Sequence, residues 1–256
     1  MAKDGTAVTR AKVNLPTDVN AAMAAEMAEM QKRIAAPSGN RITCTQSKSF
    51  KFPNGLESSD PFEAIVIDFA AANYYYPGAY DRNNVTPPVC FALGLEPAGL
   101  VPADSSPDKQ AGACASCWAN QFKSLGKGKA CQNTRLLAVI PLDADAETPI
   151  WLLKVSPTAI SGFDGHVGNV GRIYNMPVRA VVTEISFDEH SEYASLRFRA
   201  VGPAPKELVL LAHGMKAEAQ KLLLTEPTVQ AVGAAGAKKV ASPARKPAAD
   251  KPTVYR

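Results

Sequence analysis

No apolar run in this 256-residue chain approaches the roughly 18 residues of a membrane-spanning helix, so no membrane is expected among its partners. Histidine is scarce: His166, His190 and His213 stand far apart, and no HExxH, GxSxG or paired-carboxylate metal motif accompanies them. The chain is therefore expected not to be an enzyme. The first residues, MAKDGTAVTR, lack the apolar stretch of a secretory leader, and the cysteine count, five, is odd. Both speak against a disulfide framework and for a reducing, cytoplasmic setting. One acidic cluster, Asp143, Asp145 and Glu147, precedes Thr148 and Pro149. Between two predicted strands it is expected to form a solvated turn, not an ion site.

What the chain does have is four cysteines in one window. Cys90, Cys114, Cys117 and Cys131 follow the pattern C-x23-C-x2-C-x13-C. A C-x2-C knuckle supplies two thiolates from one turn, and two flanking cysteines complete a tetrahedral shell, so the spacing predicts a structural zinc site. Four thiolates close the shell and leave no position for catalysis. A redox C-x2-C would sit at a strand-to-helix junction, whereas Cys114 and Cys117 lie among Gly, Asn, Lys and Gln. The fifth thiol, Cys44, shares the alternating face of Ile42, Phe50 and Phe52 and is expected to be a small core residue.

The formal net charge of +4 resides in the last segment. Between residues 225 and 256 there are six basic residues (Lys238, Lys239, Arg245, Lys246, Lys251 and Arg256) and two acidic ones (Glu226 and Asp250), a difference of four. The body is neutral, so a polyanion-binding surface on it has to be a local patch.

Along the chain, Met23, Met27, Met30 and Ile34 form one helical stripe in an alanine-rich arm, residues 1–36, available for packing on the body or for self-association. Residues 37–224 form the predicted main domain. Strands are expected over 41–52, 63–71, 89–95, 136–142 and 150–155, with a hairpin over 178–187 and 193–201. Residues 157–174 are expected to be a short helix interrupted by glycines, and residues 205–225 a closing helix. The tail, 225–256, is rich in Ala, Lys and Pro and is expected to be disordered. Several short strands with little helix indicate a mainly β fold, a β-barrel or sandwich.

Pro87 to Cys90, Ser106 to Lys109, Cys114 to Cys117, Asn120 to Phe122 and Gly126 to Val139 together resemble a family of bacteriophage single-stranded DNA-binding proteins. The resemblance is close over residues 87–140, about one fifth of the chain. It implies an OB-like β-barrel carrying a zinc-binding insertion, here 90–131, and a role in phage DNA replication or recombination in the host cytoplasm. Single-stranded DNA would be the ligand and phage replication proteins the candidate partners. Phage single-strand binders commonly end in an acidic tail; this tail is basic, so an acidic-tail mechanism is not expected.

The residues themselves point the same way. Lys123, Lys127, Lys129 and Arg135 fall in a stretch without an acid. A sequence-tolerant single-strand binder needs such cations on phosphates and flat side chains under bases. Trp118, Tyr74 and Tyr76 are the stacking candidates, with Tyr75 facing the other way in an extended chain. In the last hairpin Arg197 and Arg199 lie in line with Tyr193 and complete the predicted contact set. The competing expectation is a zinc-stabilised protein-interaction or assembly protein.

A chain ending at Thr225 is expected to lose most of its duplex affinity but only part of its single-strand affinity, because a basic tail attracts any polyanion whereas stacking requires exposed bases. Titrations of labelled single-stranded and double-stranded oligonucleotides test this; equal loss of both would place binding in the tail.

Overall fold

Strand β4 (Phe62–Tyr75) is the longest strand among the described residues and the spine of the sheet. The computed structural model describes residues 39–78 and 86–227; the predicted arm helix, Tyr80 and nearly all of the basic tail lie outside them. The other strands are β1 (Arg41–Cys44), β2 (Phe50–Lys51), β3 (Glu57–Ser58), β5 (Cys90–Gly94), β6 (Cys131–Pro141), β7 (Trp151–Val155), β8 (Val181–Phe187) and β9 (Leu196–Pro203). Three helices follow: α1 (Ile160–Tyr174), α2 (Lys206–Gly214) and α3 (Lys216–Leu223). None of them is long and apolar enough to cross a membrane.

Among the described residues the strands form one nine-stranded mixed sheet, eight in the order β3-β2-β1-β7-β6-β4-β8-β9 and the ninth, β5, off this path on β4. All pairings are antiparallel except β1 with β7. Strand β4 pairs with β6 along almost its whole length, while its other edge is shared by β8 at the start and β5 at the end. The sheet curls into a half-barrel, as the mainly β expectation requires.

Helices pack on both faces of the sheet. One buries Ile65, Ile67, Ala70, Ala72, Leu136, Ala138 and Ile140 beneath α2 and α3 through Leu208, Ala212, Ala219 and Leu223. The other buries Ala64, Val66, Leu137, Val139, Leu153 and Val155 beneath Phe163 of α1, with Phe50 stacked on Phe187 at 4.2 Å between ring centres. Strands buried on both faces read as near-continuous apolar runs, and "AIVI" in β4 and "LLAVI" in β6 are such runs.

A β-bulge interrupts the β4–β6 ladder between Val66 and Asp68. Before it, odd-numbered residues face α2 and α3; after it, Ala70, Ala72 and Tyr74 do. The extra residue reverses the alternation. Asp68 therefore points at α3, where Gln220 Nε2 donates to its Oδ2 at 2.8 Å. Asn73 and Tyr75 point to the opposite face.

Several boundaries differ from the sequence expectation. The predicted strand over 41–52 is a hairpin, turned at Thr45 to Lys48 with Lys48 at φ 58. Strand β4 continues through Tyr75, and β6 begins at Cys131. Tyr193 lies in the loop before β9. Helix α1 is unbroken over 15 residues despite its four glycines, because Phe163, His166 and Val170 anchor one face. The predicted closing helix is two helices that meet at Gly214 and Met215.

The exposed glycines of α1 give a direct stability test. A Cβ built on Gly165 or Gly168 meets nothing within 4 Å. Each change to alanine is expected to raise unfolding stability by about 0.5–1 kcal/mol through helix propensity. Urea titrations of Gly165→Ala plus Gly168→Ala check it; a loss of stability would show the face to be in contact.

Candidate functional site

Antiparallel register places Tyr75 opposite Cys90 on one side and opposite Cys131 on the other. Directly opposed residues share a face, so Cys90, Tyr75 and Cys131 form one row across β5, β4 and β6. The next row on that face is Ala92, Asn73 and Asn133, with Asn133 Nδ2 donating to Asn73 Oδ1 at 2.6 Å. These two rows are the floor of the site. The chain between β5 and β6 folds over them as a lobe, and Cys114 and Cys117 come down from its knuckle.

All four cysteines are buried, and together they line one pocket with Asn73, Tyr75, Pro102, Gln110 and Asn120. Burial raises the Cys131 thiol to about 12, and proximity to Cys114, Cys117 and Cys90 adds to the effect. The Cys114 thiol is raised for the same reasons, burial first, against a lowering hydrogen bond with Asn73. In an apolar pocket each thiolate would repel the next, so four of them require a cation among them. Among the described residues no three His, Cys, Asp or Glu side chains stand in a geometry already set to hold an ion. Strand register places Cys90 and Cys131 on either side of Tyr75, and all four cysteines line the same pocket. In kind and number the donors fit zinc.

The lobe has little regular structure beyond a 3₁₀ turn at Trp118–Asn120. Hydrogen bonds organise it: Cys114 N donates to Leu100 O at 3.0 Å, Asn120 Nδ2 to Cys114 O at 2.8 Å, and Ala130 N to Ser124 Oγ at 2.9 Å. Ser106 Oγ both donates to Phe91 O and accepts from Phe91 N, at 3.1 Å each, which ties the lobe to β5. No family model, curated protein or solved structure matches this chain.

On the outer side of the lobe Trp118 is 48% exposed, yet its indole is held. Its Nε1 donates to Gln110 Oε1 at 3.3 Å, and the Tyr75 ring meets it edge-on at 5.6 Å. Phe122 is 76% exposed, with the Lys129 ammonium 5.0 Å from its ring centre and bonded to Asn120 Oδ1 at 3.2 Å. Lys123 is exposed, and Lys127 sits at the tip of a tight turn closed by Leu125 and Gly128. Gly126 makes that turn possible at φ 57.

Six predicted DNA contacts are placed elsewhere. Arg135 faces α1 and makes a bidentate pair with Asp164, at 3.0 and 2.8 Å, with its side chain 13% exposed. Arg199 is held by Glu184 and Arg197 by Asp188 at 3.3 Å, so both cations are already neutralised. Tyr74 is buried at 7% exposure, which removes its ring from stacking on a ligand. Tyr76 is half-buried against the same core. Tyr193 is exposed in the loop before β9, a loop that Lys48 Nζ bonds at Asp188 O and Ser191 O. Sequence reasoning missed Phe122, Gln110, Asn73 and Asn120, although Phe122 stands in the acid-free stretch where an exposed aromatic is informative. The acidic cluster behaves as a turn: Asp145 Oδ1 accepts from Glu147 N at 3.0 Å and from Thr148 Oγ1 at 2.7 Å.

Native protein is expected to carry one zinc per chain, lost in Cys114→Ser plus Cys117→Ser and retained in Cys44→Ser. Elemental analysis decides, and undiminished zinc in the double variant would remove the site.

Proposed function

We propose that this chain is a non-enzymatic single-stranded DNA-binding protein of phage replication or recombination type, with a zinc-held lobe as its main contact surface. The observation that carries this proposal is the pairing of exposed Trp118 and Phe122 with Lys123, Lys127 and Lys129, in a segment free of carboxylates. Flat rings accept unpaired bases at about 1–3 kcal/mol each, and lysines displace counterions from the phosphates between them. A duplex resists, because its bases are already stacked. The curled β4 sheet plays the part of the OB-like barrel, with the insertion over 90–131 rising from it.

Cys90 and Cys131 on the sheet, and Cys114 and Cys117 on the knuckle, would hold the zinc. When bound, the ion supplies a structural cross-link and the positive charge that lets four buried thiols ionise. The protein's own residues do the rest: Gln110 and Tyr75 orient Trp118, Asn120 positions Lys129, and the turn at Gly126 presents Lys127.

Leu125, 67% exposed beside Phe122, favours a second reading, an apolar protein-docking surface on the same lobe. Salt dependence separates the two. Neutralising Lys127 and Lys129 to Gln is expected to reduce the slope of log affinity against log salt by about 0.7 per contact on oligo-dT. Trp118→Ala and Phe122→Ala are expected to weaken binding at every salt concentration with little change of slope. No measurable oligo-dT binding by the zinc-loaded protein would give the second reading the lead.

A further inference from the structure

On the face of the sheet opposite the cysteine lobe, α2 and α3 cover only part of the surface. Beyond them, toward the end of β4, lie Arg41 and Thr43 of β1, Lys154 of β7 and Gln132 of β6, all exposed, around Tyr74 and Tyr76. Register fixes their common side. Lys154 is opposite Leu136, Gln132 is opposite Tyr74, and Leu136 and Tyr74 belong to the core on this face. Arg41 stands beside Leu152 in the parallel β1–β7 pair, on the side away from buried Ile42.

The Lys154 ammonium lies over the Tyr74 ring, 5.0 Å from its centre. Arg41 is close enough to act on both groups: its charge lowers the pKa of Lys154, after burial, and opposes the burial that raises Tyr74 to about 12. Two cations thus share this face, Arg41 beside Leu152 and Lys154 two residues further along β7. Among the described residues neither forms an ion pair with a carboxylate, in contrast to Arg135, Arg197 and Arg199, each of which has one. Like charges brought together without a counter-charge weaken the fold. An arrangement that repels itself in isolation becomes favourable when an anion bridges it, and a planar guanidinium beside an ammonium suits the oxygens of a phosphate group.

We propose that Arg41 and Lys154 form a phosphate-binding site on this sheet face, with exposed Gln132 and Thr43 as neighbouring hydrogen-bond donors. The site is separate from the lobe. Its phosphate is supplied by the backbone of a bound nucleic acid strand or by a free polyphosphate; the first source rests on the function proposed above, the second does not.

The test uses the full chain and Arg41→Gln plus Lys154→Gln. Tripolyphosphate is the probe, read as a rise in Tm. Wild type is expected to respond and the double variant to lose most of the response; an equal response in both overturns the site. Oligo-dT titrations then identify the source. A salt slope reduced by about 1.4 in the double variant, two contacts at about 0.7 each, assigns the site to a nucleic acid backbone. An unchanged slope with a lost tripolyphosphate response assigns it to a free phosphate ligand. If wild type binds no oligo-dT, the single-strand reading fails while the tripolyphosphate comparison still decides this site. Should the double variant not fold, Lys154→Met, which keeps an apolar stem over Tyr74, carries the same measurements with about half the slope change.

Discussion

The bulge between Val66 and Asp68 is the constraint on which the placement of the site depends. Strand β4 has to satisfy two partners along one edge and two helical layers across its faces, and strict alternation cannot do both. Without the extra residue Tyr75 and Asn73 would turn toward the side of α2 and α3, and the row Cys90–Tyr75–Cys131 could not form under the knuckle. The same reversal sends Tyr74 to the far face, where it supports Lys154. One inserted residue thus determines which aromatic meets the cysteines and which meets the cations.

The distribution of neutralised and free cations follows from the same architecture. Arginines on the sheet's α1 side or in the β8–β9 hairpin find acids on neighbouring elements: Asp164 for Arg135, Glu184 for Arg199 and Asp188 for Arg197. Pairs as exposed as the last two contribute little to stability. The bidentate Arg135 pair, mostly shielded from solvent, instead fixes α1 against β6. The lobe's acids are confined to its first part, where Asp104 pairs with Lys109; from Gln110 to Cys131 there is no carboxylate, and among the described residues Lys123, Lys127 and Lys129 form no ion pair. The net charge, concentrated in the tail, carried no information about this division.

Much of the local pattern was legible in the chain. The cysteine spacing predicted a four-thiolate zinc site; the four cysteines line one pocket, while among the described residues no three of them are already set to hold an ion. Strict alternation predicted that Tyr75 would oppose Tyr74 and Tyr76, and it does. What could not be read were relations between distant segments. Arg135 and Asp164 are 29 positions apart, and nothing local marks them as partners. Nor does a run of short apolar residues show where an extra one breaks the register. Glycine at 162, 165, 168 and 171 argues locally against α1, but burial of Phe163, His166 and Val170 outweighs propensity.

The lobe is ordered with few buried apolar groups of its own. Its apolar interior consists of two small clusters, Ala71, Ala92, Leu100 and Cys114 in one and Cys117, Ala119 and Cys131 in the other. Meanwhile Trp118, Phe122 and Leu125 remain largely in solvent. So few buried groups do not offset the chain entropy of a segment this irregular, since each ordered residue costs about 1–2 kcal/mol in backbone freedom alone. Hydrogen bonds such as Asn120 to Cys114 are each worth about 1 kcal/mol net and narrow the deficit without closing it. The proposed zinc cross-link among the four thiols, anchored at two points on the sheet, would supply the contribution that lets the aromatic residues stay outside the core. Rigid exposed rings require a support that does not consume them, and a lobe held by zinc on the curled sheet, as proposed, would provide it.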